Sequence, residues 1–138
     1  MFRNLLILSV AVVWFAGCTQ QPAAPASAER SVAIEGVTWQ LMSFGTHAMT
    51  VPQKAWIELE NGKYTGFAGC NGLSGTYEKR GNAIRFTMDP HTMMACPDIR
   101  GENEFRKRLL QVDRYEYKDG MLKFEKGDEP LLEFMKKD

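Results

Sequence analysis

From Val37 onward, apolar and polar side chains alternate in short runs separated by Gly, Asn and Asp. That period of two confines the chain to antiparallel β structure. Val37-Thr38-Trp39-Gln40-Leu41 alternates, as do Ala55, Ile57 and Leu59 against Trp56, Glu58 and Glu60. Asn61-Gly62 then predicts a tight hairpin turn into Tyr64, because both residues tolerate the positive φ that such turns require. A second hairpin joins Gly75-Thr76-Tyr77-Glu78 to Ile84–Met88 through Arg80-Gly81-Asn82. A third runs from Tyr115-Glu116-Tyr117 through Asp119-Gly120 into Met121–Phe124. The last strand, Leu131–Phe134, follows a turn at Gly127-Asp128-Glu129-Pro130.

One segment changes period. Phe105, Leu109 and Val112 stand at i, i+4, i+7 and predict a helix from about Glu102 to Gln111 with a single buried face. Glu102 and Glu104 lie toward its N-terminus, and Glu102–Arg106 and Glu104–Arg108 form i, i+4 pairs. Gly101 argues against an earlier start, since an interior glycine costs about 1 kcal/mol relative to alanine. The expected fold is α+β and predominantly antiparallel: a small curved sheet or partly closed barrel of about seven strands packed with one helix.

The N-terminal region is of another kind. Leu5–Ala16 is an apolar run broken only by Ser9, preceded by Arg3 and followed by Gly17-Cys18. About a dozen residues make a helix of roughly 18 Å, short of the roughly 30 Å hydrocarbon core, so the run reads as a signal peptide and not as a permanent span. Phe15-Ala16-Gly17-Cys18 resembles the bacterial lipobox, with Phe15 where Leu is usual. The resemblance implies a signal at residues 1–17, lipid on Cys18, a Pro- and Ala-rich tether through residue 35, and a domain at 36–138. No Asp follows Cys18, which by resemblance to proteobacterial lipoproteins favours the outer membrane, with the domain in the periplasm. With Cys18 assigned to lipid, Cys70 and Cys96 remain as a pair in an oxidising compartment, and a disulfide between them is expected.

Two segments depart from ordinary strand: Gly66-Phe67-Ala68-Gly69-Cys70-Asn71-Gly72-Leu73-Ser74-Gly75-Thr76-Tyr77 and Thr92-Met93-Met94-Ala95-Cys96-Pro97. Together they resemble the META domain of the heat-inducible, HslJ-like lipoproteins. Gly66, Gly69, Cys70, Asn71, Gly75 and Tyr77 match the first family motif; Thr92, Met94 and Cys96 match the second; Trp39 and Leu41 match the opening strand. Met93 stands where Arg is frequent. The motif reads as scaffold: its glycines let the backbone bend or approach another strand, and Asn71 suits a tight corner, bonding nearby backbone and tolerating the left-handed conformation. The resemblance implies a non-catalytic envelope protein acting in stress or antibiotic tolerance through binding.

Charge and motif content bear on the other function classes. Basic and acidic side chains balance at 17 each, giving no excess to neutralise nucleic-acid phosphates. A cysteine nucleophile at Cys70 or Cys96 would need His91 or His47 as its base, in a compartment that oxidises paired thiols. The same four residues match zinc in number but not in spacing, so no metal and no cofactor is expected. Ser74 lacks a G-x-S-x-G elbow, and the glycines lead into a strand where a phosphate loop needs a helix. A binding groove lined by Trp56, Phe67, Tyr77, Met93 and Met94 is the competing reading, taking an apolar ligand or a partner peptide as secretin pilots do. In a strand, Met93 and Met94 would face opposite sides. The partners expected are the membrane, through the N-terminal lipid, and an envelope protein or apolar ligand.

Overall fold

The computed structural model describes residues 34–91 and 93–138. Cys18 and Thr92 lie outside the described residues. The elements are β1 (Thr38–Ser43), β2 (Trp56–Glu60), β3 (Lys63–Phe67), β4 (Gly72–Arg80), β5 (Ala83–Met88), α1 (Arg100–Leu109), β6 (Arg114–Lys118), β7 (Met121–Lys126) and β8 (Glu129–Lys136). The eight strands pair in chain order, all antiparallel, and β8 returns to β1 to close a barrel. The fold is α+β as expected, with one strand more than the sequence pattern suggested and with closure complete.

Period-two alternation builds this barrel directly. Trp39, Leu41, Ile57, Leu59, Tyr64, Leu73, Tyr77, Ile84, Phe86, Leu122, Phe124, Leu132 and Phe134 point inward and are buried. Aromatic rings run through the interior in series: Tyr64 meets Phe86 at 5.5 Å, Phe86 meets Phe124 at 5.1 Å, Phe124 meets Phe134 at 5.3 Å and Phe134 meets Phe105 of α1 at 6.0 Å. The interior of the barrel is a packed core.

The hairpin turns form where the sequence places them. Asn61 and Gly62 have φ of 50° and 76°, and Asp119 and Gly120 have φ of 53° and 82°, the paired positive values of a two-residue hairpin. At the last turn, β8 begins two residues earlier than the Gly127–Pro130 turn implied. Pro130 pairs with Glu125 where the β7–β8 register shifts, and such a bulge is a place where a missing N–H is tolerated.

Between β5 and β6 the chain leaves the sheet to form α1, and that pairing is the thinnest in the barrel: one register pair, Ala83 with Arg114. Backbone bonds from Ile84 to Asp113 (3.1 Å) and from Tyr115 to Asn82 (2.9 Å) flank it. Helix α1 carries Phe105 and Leu109 into the core, with Val112 just beyond it, as the spacing requires. It starts at Arg100, before the expected Glu102. Asp98 accepts a bond from the Arg100 amide at 3.0 Å, and Gly101 packs against Pro52, whose Cγ would lie 2.8 Å from an added Cβ. The glycine is therefore required by the close approach of the β1–β2 loop, which outweighs its low helix propensity.

Candidate functional site

The glycine-rich segment after β3 turns sharply where it meets α1. Gly69 adopts φ of +119°, a conformation that residues with side chains rarely take, and an added Cβ there would strike the Pro52 side chain. Within β4, Gly75 faces the Thr87 carbonyl and the Tyr64 ring, which leave no volume for a side chain. Gly66 in β3 lies opposite Ile57 and Leu73, pressed against the Trp56 carbonyl. Cys70 and Cys96 form a disulfide across a separation of 26 residues, with their Cα atoms 6.4 Å apart. On the chain-entropy account, closing a loop of that length stabilises the fold by about 3 kcal/mol. The corner is thereby fastened to the segment that leads into α1.

Asn71 is the centre of this join and is buried. Its side-chain Nδ2 donates to Glu102 Oε1 at 2.8 Å, and its Oδ1 accepts from the Met94 amide at 2.7 Å. The Cys70 and Asn71 amides both donate to Glu102 Oε2, at 3.2 and 2.8 Å. Arg106 completes the clasp: Nε donates to Glu102 Oε1 at 3.2 Å, Nη2 to the Gly72 carbonyl at 2.8 Å, and Nη1 lies 3.3 Å from Met88 Sδ. Burial pushes the Glu102 carboxyl up, but the Asn71 donors and the Arg106 guanidinium outweigh it and hold it below the usual carboxylate range. The sequence suggested that Asn71 would bond nearby backbone in a left-handed corner. Its partners instead lie 23 and 31 residues away, and Gly69 takes the positive φ.

The other i, i+4 pair lies on the opposite flank of the helix stripe. Arg108 Nε donates to Glu104 Oε1 at 2.6 Å, Nη1 donates to the Phe44 and Leu131 carbonyls at 3.2 and 3.3 Å, and the guanidinium carbon lies 5.7 Å from the Phe44 ring centre. This side chain borders an open cleft of about 350 Å³, also lined by His47, Lys107, Gln111, Lys126 and Glu129. The sequence identified both as i, i+4 pairs. It missed that Glu102, Arg106 and Arg108 are buried. Their one available signal was position: each flanks the Phe105–Leu109 stripe on the helix face that must meet the barrel.

The proposed groove residues do not form one surface. Tyr77 points into the barrel and is buried, its hydroxyl bonded to Glu35. Met93 and Met94 are in irregular backbone and both are exposed, 49% and 63%, in place of the strand-like split. Trp56 and Phe67 are directly paired, half-buried, and alternate with inward residues, so they face outward. They end a row across five strands: Met121 opposite Met135, Met135 opposite Gln40, Gln40 opposite Trp56, and Trp56 opposite Phe67. His91 and His47 are exposed. His91 Nδ1 lies 3.3 Å from the Asp89 carbonyl, and His47 bridges Phe44.

The family model described as META domain matches residues 32–138. No curated protein sequence matches the chain. Among solved structures, a protein from Burkholderia xenovorans superposes with a TM-score of 0.64 at 19% identity, covering 91% of this chain and 99% of its own. A DUF4847 family protein from Bacteroides vulgatus gives a TM-score of 0.58 at 16% identity, covering 77% and 97%. At such identities the likeness is one of fold.

Proposed function

The chain belongs to the META domain family, and from that premise we propose that it is a non-catalytic binding module of the bacterial envelope. Lipid on Cys18 holds it to the outer membrane with the domain in the periplasm, and it acts in stress or antibiotic tolerance through what it binds. One observation carries this reading: the chemistry-bearing residues of the family motifs, and the helix charges they meet, are spent on scaffold. Both sulfurs are in the disulfide, and the Asn71 amide, the Glu102 carboxylate and the Arg106 guanidinium bond one another and nearby backbone. The outer wall carries what a partner needs, a row of Met121, Met135, Trp56 and Phe67 with Gln40 at its middle, and Met42 also exposed on β1. Thioethers and an indole at a surface adapt to varied apolar partners.

A carrier of an apolar ligand is the second reading, and the same row supports it. Because aromatic rings fill the interior, an acyl chain is held against the outer wall and not within the barrel. Native mass spectrometry of full-length protein purified gently from membranes tests both readings. A retained envelope protein or lipid, lost in a Trp56→Glu, Met135→Glu double variant, is the expected result, and its identity decides between module and carrier. A bare chain in wild type and variant alike would overturn both. Palmitate labelling abolished by Cys18→Ser is the expected result for the anchor.

A further inference from the structure

The cleft beside Arg108 is distinct from the Asn71–Glu102–Arg106 clasp and from the outer apolar row. Three separate pieces of chain build it: the C-terminal half of α1 (Glu104, Lys107, Arg108, with Gln111 beyond), His47 in the loop after β1, and Lys126, Glu129 and Leu131 around the β7–β8 turn. The walls are joined firmly. Gly45, with φ of +58°, lets the loop press against the Pro130 carbonyl so closely that no side chain fits between them.

Arg108 is almost fully buried, yet its guanidinium is only partly used. Nε is committed to Glu104 and Nη1 to two backbone carbonyls, which fixes the plane of the group. Among the described residues Nη2 has no protein partner, and it is not sealed from solvent as the Tyr64 hydroxyl is. A cation held in one orientation in the wall of an open cleft loses no side-chain freedom when an anion arrives. The walls also select the charge of that anion. Lys107, Arg108 and Lys126 stand against Glu104 and Glu129, three cations to two carboxylates, an excess of one positive charge. A phosphate dianion would meet two fixed negative side chains with one charge to spare; a monoanion matches the balance. The volume is at the lower end of the range for small-molecule sites, about 300–1,000 Å³.

We propose that this cleft binds a carboxylate, supplied by a small organic acid or by the free C-terminus of a peptide. The Nη2 edge of Arg108 receives the carboxylate, Lys107 and Lys126 flank it, and Glu129 offers an acceptor for a hydroxyl or ammonium on the same ligand. This is independent of the apolar-row reading, and either can fail without the other.

The test is NMR titration of the full domain with sodium acetate against sodium chloride at constant ionic strength, following the Arg108 Nε–H signal and the His47, Lys107 and Leu131 amides. Saturable shifts with acetate and none with chloride are expected. Lys107→Glu and Lys126→Glu, both at exposed positions, should each weaken binding on the order of tenfold at unchanged Tm, since each reverses a charge at the cleft mouth. Lys126→Met, expected to give a smaller loss, serves if the reversal disturbs folding. N-acetyl-trialanine is then compared with its C-terminal amide: tighter binding than acetate, lost in the amide, assigns the peptide source, and binding no tighter than acetate assigns the small acid. Shifts that grow linearly, that chloride reproduces, or that survive the lysine substitutions would overturn the proposal.

Discussion

Glu102–Arg106 and Glu104–Arg108 have the same chemistry and the same spacing on one helix, and the barrel uses them in opposite ways. The first pair is turned into a corner of backbone: two amides, one carbonyl, one side-chain amide and a thioether enclose it. The second spans the seam between helix and strand ends with Glu104 still partly hydrated and Arg108 in the wall of a cleft. The difference lies in what surrounds each pair. The two arginines are buried alike and the carboxylates are not: Glu102 is enclosed and specifies structure, whereas Glu104 stays partly hydrated beside a cleft and leaves that side able to bind.

The sharpest way to break this comparison is to remove the two carboxylates separately. Glu102→Ala leaves the buried Arg106 guanidinium without its carboxylate and the Cys70 and Asn71 amides without their acceptor, and should cost about 3–5 kcal/mol. Glu104→Ala, with Arg108 still bonded to two carbonyls and water able to replace the carboxylate, should cost about 1 kcal/mol or less. Urea unfolding midpoints measure both, and equal losses would refute the distinction. The acid side adds a sign. Glu102 binds its proton less readily folded than unfolded, so its contribution is complete above the ordinary carboxylate range and is lost as pH falls through the depressed folded value. Glu102→Gln should flatten that acid limb.

Much of the fold was legible because strand alternation and turn chemistry are local. Trp39, Leu41, Ile57 and Leu59 announce an inward face, and Asn61-Gly62 and Asp119-Gly120 fix their hairpins without help from distant residues. The Cys70–Cys96 bridge was legible for a different reason, since assigning Cys18 to lipid in an expected oxidising compartment left that pair. Barrel closure was not, because it depends on β1 meeting β8 across the length of the domain. The clasp was half-legible. Asn71 and the Glu102–Arg106 spacing were visible separately, but nothing local says that a corner at residue 71 lands on the first turn of a helix beginning at residue 100. The Arg108 cleft joins three segments far apart in sequence and had no signature at all.

Arg108→Met sharpens the other half of the comparison. The substitution keeps apolar bulk over Phe44 while removing the donors to the Phe44 and Leu131 carbonyls, and should cost about 2 kcal/mol, less than Glu102→Ala because the groups left behind are neutral carbonyls and a carboxylate that water can reach. Acetate binding at the cleft should vanish with it. A loss as large as that of Glu102→Ala would mean that Arg108 is as structural as Arg106, leaving the cleft incidental.

The smallest effect is expected at two tyrosines that share a raised pKa but not a hydrogen bond. Burial pushes the Tyr64 hydroxyl up to about 12, with the Asp89 carboxylate adding to the rise and Arg106 opposing it, and the hydroxyl has no partner in its sealed position. Burial likewise pushes Tyr77 up to about 12, reinforced by the bond to Glu35. Both bind their protons more tightly folded than unfolded, so each contributes stability that is complete below about pH 10 and is lost as pH rises toward about 12. Either Phe substitution should flatten the alkaline limb of the unfolding curve. At neutral pH they should differ. Tyr77→Phe gives up a made hydrogen bond and should cost about 1 kcal/mol, whereas Tyr64→Phe removes a buried hydroxyl that nothing satisfies and should leave stability unchanged or raise it by about 1 kcal/mol. A loss at Tyr64 would show that its hydroxyl is engaged after all, most simply through a water shared with Arg106. The enclosed side of the helix would then be a hydrated network, and the contrast with the open Arg108 side would shrink to one of degree.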